Sequence, residues 1–158
     1  MSIELDIISN SENPSLRRLS NFAPNSFTFD GVLCNSMEGL LQSFKCEDIK
    51  KQENLCALVG FTAKQVGYRF SSWKKDQILY WRGKKYDRAG LEYQALLDRV
   101  YLALSSNNDF IRALMSTGEA KLTHMIGSNK KEETVLTRDE LCSRLMNIRE
   151  LTFRPTLF

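Results

Sequence analysis

A single histidine occurs among the 158 residues, and that scarcity removes several chemistries at once. Zinc sites lose most of their nitrogen ligands, and a Ser/His/Asp or Cys/His triad has only His124 to draw on. The four cysteines, Cys34, Cys46, Cys56 and Cys142, show no CxxC spacing, so they read as reduced, buried thiols and neither a metal nor a cofactor is expected. The chain also lacks GxGxxG, GxxxxGK[ST], HExxH, GxSxG and an EF-hand loop, which withdraws support from dinucleotide, Walker-type, zincin and hydrolase-elbow readings. No apolar run approaches the roughly 18 residues of a membrane span, and the first residues carry acids where a secretion signal would be basic. A soluble protein of a reducing cytoplasm, with no membrane partner, is the expectation. An excess of either charge is small too: 22 Lys and Arg stand against 19 Asp and Glu, a net +3. Bulk charge therefore excludes a polycation or an acidic tail and names no partner.

What is present suits one domain spanning residues 1–158. Hydrophobic residues make up 42%, enough at this length to bury a core without disulfides or metal. Alternation of Ile3, Leu5 and Ile7 with Glu4 and Asp6 predicts a short strand, followed by a polar loop, "SNSENPS". Asp30-Gly31 between two apolar runs predicts a tight type I′ hairpin. The chain then enters a helix over 35–46, with Asn35 as its cap. Residues 47–68 predict a helix broken near Gly60 and a short one ending near Gly67. "LEYQALLDRVYLALSS" predicts an amphipathic helix with Leu91, Ala95, Leu96, Val100, Ala103 and Leu104 inward. Another helix follows, capped by Asn107 or Asn108 and stopped at Gly118. "KLTHMIG" reads as a strand or extended segment, and Thr137-x-x-Glu140 as a capping box opening a last helix whose inner stripe is Leu141, Leu145 and Ile148. The expected class is α+β, a helix-dominated single domain with a small β-sheet or hairpin.

The helix over 35–46, "NSMEGLLQSFKC", has no ordinary wet face. At about 100° per residue, Glu38, Gln42 and Lys45 fall within about 60° of one another as one polar stripe. Met37, Leu40, Leu41 and Phe44 flank it on one side. Gly39, Ser43 and Cys46 flank it on the other, small enough to admit a close neighbour. Two readings stand. Glu38 occupies the position of a capping-box glutamate after Asn35, which leaves Lys45 unexplained. Alternatively, a carboxyl and a desolvated amine share a cleft and supply acid/base and imine chemistry at an anomeric carbon.

The segment "WKKDQILYWRGKKYDR", 73–88, holds six basic residues against two acidic ones, with Trp73, Tyr80, Trp81 and Tyr86 interleaved. Such a composition suits phosphates and bases of a nucleotide or nucleic acid, and equally a solvated connector. His124 reads either as a structural histidine or as a site residue.

Taken in order, "LSNFAPNSFTFDGVLCNSMEGLLQSFKC", "YWRGKKYDRAGLEYQALLDRVYLAL", "FIRALMSTGEAKLTH" and "ETVLTRDELCSRLMNIREL" resemble the NADAR (YbiA-like) N-glycosidases over about residues 17–151. The resemblance implies a YbiA-like fold and cleavage of a ribose C–N bond. It implies substrates of two kinds: phosphoribosylamino-pyrimidine intermediates of riboflavin synthesis, and ADP-ribose on guanine bases of DNA, where such enzymes reverse DarT-type toxins. The family's glutamate, glutamine and lysine fall on Glu38, Gln42 and Lys45, and its "SNF" asparagine on Asn21, beside Phe22. Glu38 would handle a proton at the ribose or leaving base. Lys45 would attack C1″ or stabilise charge there, and Asn21 would orient ribose hydroxyls. A Trp-Gly-Asp-Gly stretch that YbiA carries before its last helix is replaced here by "HMIGSNKKEETVLTRDELC". That replacement shifts the expectation from the riboflavin intermediates toward ADP-ribose conjugates, with Trp73, Trp81, His124, Gly127 and Thr134 as candidates to complete the substrate pocket. A silent ADP-ribose or nucleotide-binding module is the alternative, and a nucleic-acid accessory protein using residues 73–88 a third reading.

Overall fold

The computed structural model describes residues 3–154. A short strand β1 (Glu4–Asp6) leads to α1 (Pro14–Leu19), whose cap Asn13 accepts a hydrogen bond from the Ser15 amide. The polar loop read from the sequence therefore ends in a helix, because Asn-Pro is itself a start signal: the cap precedes a proline with φ already set for a first turn. Strands β2 (Phe27–Phe29) and β3 (Val32–Cys34) form the expected hairpin. Asp30 and Gly31 both have positive φ, 47° and 78°, as a type I′ turn demands.

Helix α2 (Met37–Ser43) follows and is buried along its whole length. Its cap is Ser36, one residue later than expected: Ser36 Oγ accepts from the Gly39 amide at 3.1 Å and donates to Leu58 O. Asn35 cannot serve, since its side chain donates to Ala57 O and its amide to Cys56 O. Glu38 is thereby released from any capping role. Helix α3 (Ile49–Cys56) and helix α4 (Gly60–Gly67) come next, broken where the sequence broke them. The small-residue face of α2 admits the end of α3, and a Cβ placed on Gly39 would lie 2.5 Å from Leu55 O and 2.8 Å from Leu58 O. Both obstacles are backbone and cannot swing aside. Gly39→Ala is expected to cost about 1–3 kcal/mol of stability, read as a lowered denaturation midpoint; an unchanged midpoint would contradict this packing.

A single turn, α5 (Trp73–Asp76), opens a second hairpin, β4 (Ile78–Trp81) with β5 (Lys84–Asp87). Its turn, Arg82-Gly83, also has two positive φ values. The segment folds as a hairpin and not as a solvated connector. Trp73, Trp81 and Tyr86 are buried, and Arg88 is fully enclosed. Helix α6 (Leu91–Leu104) buries Tyr93, Leu96, Leu97, Val100, Tyr101 and Leu104. Leu91, expected inside, is 88% exposed, and Ala95 also faces out. The inward stripe is set by Tyr93 and Tyr101, two aromatics whose burial outweighs that of Leu91 and Ala95.

Helix α7 (Asn108–Ser116) is capped by Asn107, and Gly118 just beyond has φ 61°. Strand β6 (Lys121–Thr123) pairs in parallel with β1, Leu5 opposite Leu122. Helix α8 (Arg138–Phe153) opens with the expected capping box of Thr137 and Glu140. Eight helices and three two-stranded sheets among the described residues thus share one apolar core, to which α2 contributes Met37, Leu40 and Leu41. All four cysteines are buried and unpaired. No described helix is long and apolar enough to cross a membrane.

Candidate active site

The polar stripe of α2 opens into a cleft of about 620 Å³. Glu38 and Gln42 project from the helix itself. Lys45 lies beyond its end: the chain leaves α2 through i→i−3 hydrogen bonds, from Phe44 N to Leu41 O and from Lys45 N to Gln42 O. This tightened turn keeps Lys45 on the stripe although the helix stops at Ser43, two residues short of it. Gln52, fully buried, fixes the turn by reaching Cys46 O at 2.8 Å and Tyr80 O at 2.9 Å while accepting from the Arg82 amide. A side chain nine residues after the helix therefore holds the lysine's backbone in place.

Glu38 Oε1 accepts from Gln42 Nε2 at 2.8 Å. Burial pushes the Glu38 carboxyl above the usual carboxylate range, against the opposing pull of Gln42 and of Lys64, Lys45 and His124. Burial also pushes the Lys45 ammonium down, to about 8, with Glu38 working the other way. Desolvation disfavours each charged form, so the carboxyl holds its proton longer and the amine loses its proton sooner than in water. These are the tuned states that acid and nucleophile roles require. Gln42 Oε1 is buried and accepts from no described donor. It is pressed close to α4, and a Cβ on Gly67 would fall 1.9 Å from it.

Asn21 and Phe22 also line the cleft. The Asn21 carbonyl accepts from the Glu38 amide at 3.0 Å, which ties this segment to the first turn of α2. Its side-chain Oδ1 accepts from the Tyr101 hydroxyl at 3.1 Å, leaving Nδ2 as the donor available to a ligand. Tyr101 is a residue that sequence reading named neither in the inward stripe of its helix nor at the site. Tyr101→Phe is expected to keep the fold and to loosen the Asn21 amide, weakening ligand binding by about tenfold, the scale of one hydrogen bond in a buried site. Titration of the variant with ADP-ribose, the ligand expected from the sequence resemblance, checks it, and wild-type affinity would remove Tyr101 from the site.

His124 enters from the end of β6. Its Nδ1 lies 2.7 Å from Ile7 O, which can only accept, so Nδ1–H donates there and fixes the ring. Gly127 is the space for that ring: a Cβ there would stand 2.5 Å from His124 Cδ2 and 2.7 Å from Arg138 Cγ. Thr134 borders the cleft, but its hydroxyl donates to Leu136 O at 3.0 Å, so it shapes the wall. Trp73 is buried against the cleft.

Of the ten residues expected at the site, nine line this cleft. Trp81 is the exception: it lies in the core, tilted on Phe29 at 5.5 Å and edge-on to Phe44 at 5.7 Å, with Nε1 donating to Asp30 at 2.8 Å. A half-buried β4 sends alternate side chains inward, and Trp81 is on the inward set. Lys64, which sequence reading passed over, and Lys74, one of the six basic residues of 73–88, line the cleft as well. Lys64 stands four residues after the break at Gly60, on the face of α4 that meets α2. Among the described residues, no cluster of His, Cys, Asp and Glu is arranged to hold a metal ion.

Residues 14–150 match the family described as bacteriophage protein GP30.3. An uncharacterised 17.1 kDa protein from the gp30–rIII intergenic region of Enterobacteria phage T4 is 32% identical over 149 residues, 93% of this chain and 97% of that protein. The NMR structure of the Escherichia coli protein YbiA superimposes with a TM-score of 0.63 over 97% of this chain and 86% of its own, at 17% identity. The fold that the ordered sequence blocks led one to expect is the fold found.

Proposed function

The chain belongs to the bacteriophage GP30.3 family and has a YbiA-like fold, and we propose that it is an N-glycosyl hydrolase that cleaves the bond between ribose C1″ and a base nitrogen. The preferred substrate in this reading is ADP-ribose attached to guanine in nucleic acid, or a related ADP-ribose conjugate. One observation carries it: Glu38 and Lys45 line one cleft, and burial moves their titrations in opposite directions, the acid up and the amine down to about 8.

The chemistry balances with water as the only co-reactant. The Lys45 Nζ lone pair adds to C1″ while the C1″–N bond breaks, and the leaving base nitrogen takes the proton held by Glu38. Nζ, now an ammonium, passes one proton to the ring oxygen as the bond from C1″ to that oxygen breaks, giving a protonated imine between Nζ and C1″. Water adds to that carbon while ionised Glu38 takes one of its protons and hands it to nitrogen; the neutral amine is then expelled as the carbonyl forms, the remaining hydroxyl proton goes to Glu38, and ADP-ribose departs with both groups restored. In this reading Asn21, whose Oδ1 is engaged by the Tyr101 hydroxyl, offers Nδ2 to a ribose hydroxyl, and Gln42 Oε1, which has no donor among the described residues, offers an acceptor.

The test is an incubation with DNA bearing ADP-ribosyl-guanosine, beside free ADP-ribose conjugates and a phosphoribosylamino-pyrimidine, with products identified by mass. Unmodified guanine and free ADP-ribose are expected. Binding of ADP-ribose with no product from any conjugate would instead identify a binding module.

A further inference from the structure

Large apolar side chains stand in water where the cleft opens. Ile126 lines it at 72% exposure, with Met125 beside it in the chain at 68%. The two sit at the corners of a β-turn, closed by the Gly127 amide donating to His124 O at 3.0 Å. Turn corners favour Gly, Pro, Asn, Asp and Ser, so the turn itself does not call for Met and Ile. Nor can the pair fold inward, because the turn is fastened on both flanks. The Met125 amide donates to Asp6 Oδ1 at 2.8 Å, His124 Nδ1 to Ile7 O at 2.7 Å, and the Arg138 amide to Ser128 O at 2.9 Å. A rigid apolar knuckle is thereby held in solvent at the rim.

Charge says what the knuckle meets. Residues 54–75, from the end of α3 through α4 into α5, hold Lys64, Arg69, Lys74 and Lys75 and not one Asp or Glu. None of the four is in an ion pair with a described residue. Lys64 and Lys74 line the cleft, and Arg69 and Lys75 are exposed next to residues that line it. The exposed acid among the lining residues is Glu133, which follows the exposed Lys130 and Lys131. A rim both basic and apolar fits a nucleic acid, whose phosphates take the cations and whose base steps admit Met and Ile as wedges. An apolar protein face would leave the four cations unpaired.

We propose that the Met125–Ile126 turn is a wedge that enters the base stack of a nucleic acid beside the nucleotide to be acted on, while the acid-free stretch 54–75 holds the phosphates of that strand. The wedge fills the gap left by a base drawn out of the stack toward the cleft. This rests on the nucleic-acid form of the proposed function and adds to it how such a strand is opened.

The test uses a short duplex of unmodified DNA with 2-aminopurine beside a central mispaired guanine, since a mispaired base costs least to draw out. Anisotropy reads binding, and 2-aminopurine emission, which stacking quenches, reads insertion. At saturating protein, wild type is expected to raise the emission about threefold or more as the neighbouring step unstacks, and Met125→Ser/Ile126→Ser to lose most of that rise. Both side chains are exposed, so this double variant keeps the fold and still binds. Arg69→Gln/Lys75→Gln is expected to reduce the slope of log affinity against log salt by about 2, one for each phosphate contact removed. Equal emission from wild type and Met125→Ser/Ile126→Ser overturns the wedge. An unchanged slope, or no salt-dependent binding by wild type, overturns the strand contact and leaves the apolar rim to a protein partner. Neither readout needs turnover: unstacking without release of base from ADP-ribosylated DNA refutes the glycosidase reading and leaves the wedge standing, whereas release of base without unstacking refutes the wedge alone.

Discussion

Lys45→Ala is expected to abolish base release, lowering single-turnover cleavage of ADP-ribosylated DNA by about 10⁴-fold or more, the scale for removing a covalent nucleophile. Glu38→Gln is expected to cost about 10²–10⁴-fold, the scale for a positioned acid. Neither loss should come from unfolding. Lys45 makes no ion pair with a described residue, and removing a desolvated amine relieves burial instead of orphaning a partner. Glutamine at position 38 can still accept from Gln42. Denaturation midpoints near wild type would separate chemistry from stability. Borohydride added during turnover should leave a secondary amine on the Lys45 peptide, seen as a mass increment. Undiminished cleavage by Lys45→Ala would end the imine mechanism.

The pH dependence follows from the same burial. With Glu38 replaced by glutamine, Lys45 is the titrating group left on the stripe of α2, and it must be neutral to attack. The residual rate should rise with pH, with a midpoint at or below about 8, because the lost carboxyl was the neighbour that raised the lysine. A midpoint near the roughly 10.4 of an ordinary lysine would show that Lys45 is not desolvated.

The second large effect concerns folding. Glu140→Ala is expected to destabilise the protein by about 3–5 kcal/mol, the cost of leaving a buried charge unpaired. Arg88 is wholly buried, and its two terminal nitrogens reach the Glu140 oxygens at 3.1 and 2.7 Å. Gln94 donates to the same carboxylate at 2.6 Å, and the Thr137 amide donates at 2.7 Å. Removing Glu140 therefore deletes a capping box and strands an enclosed guanidinium together. Out of the roughly 5–15 kcal/mol that holds a domain, this is a large share, visible as a fall in melting temperature of roughly 6–20 °C. Burial opposes the Glu140 charge, yet hydrogen bonds from Arg88, Gln94 and Thr137 outweigh it and hold the carboxyl below its usual range. A depressed carboxyl stabilises the fold above its unfolded value of about 4.3 and loses that contribution as pH falls through the folded value. The gap between wild type and Glu140→Gln should accordingly narrow below about pH 4. A constant gap would mean that the pair contributes no charge-dependent stability.

Local pattern settled a good deal without any structure. Asp30-Gly31 and Thr137-x-x-Glu140 carry their geometry within four residues, so the hairpin and the capping box are where the sequence puts them. The three faces of α2 were also legible, because helical period alone separates Glu38 and Gln42 from the leucines and from Gly39, and the ordered blocks around them led to the YbiA-like fold. Contacts distant in sequence decided the rest. Asn35 has the chemistry of a cap and lost the role to Ser36 because Ala57 O took its side chain. Trp81 has the chemistry of a stacking platform and was drawn into the core by Phe29, Phe44 and Asp30. Glu140 shows its capping role in four residues and its bond to Arg88 only across 52. The same holds inside the cleft. Sequence determined that Glu38 and Gln42 share a stripe, since periodicity is a local property of the backbone, whereas Lys45, past the end of α2, is kept on it by a turn that Gln52 holds. Only the packing of α4, α5 and α6 brought Lys64, Lys74 and Tyr101 to it, because nothing in the spacing of residues on separate helices encodes which of their faces will meet.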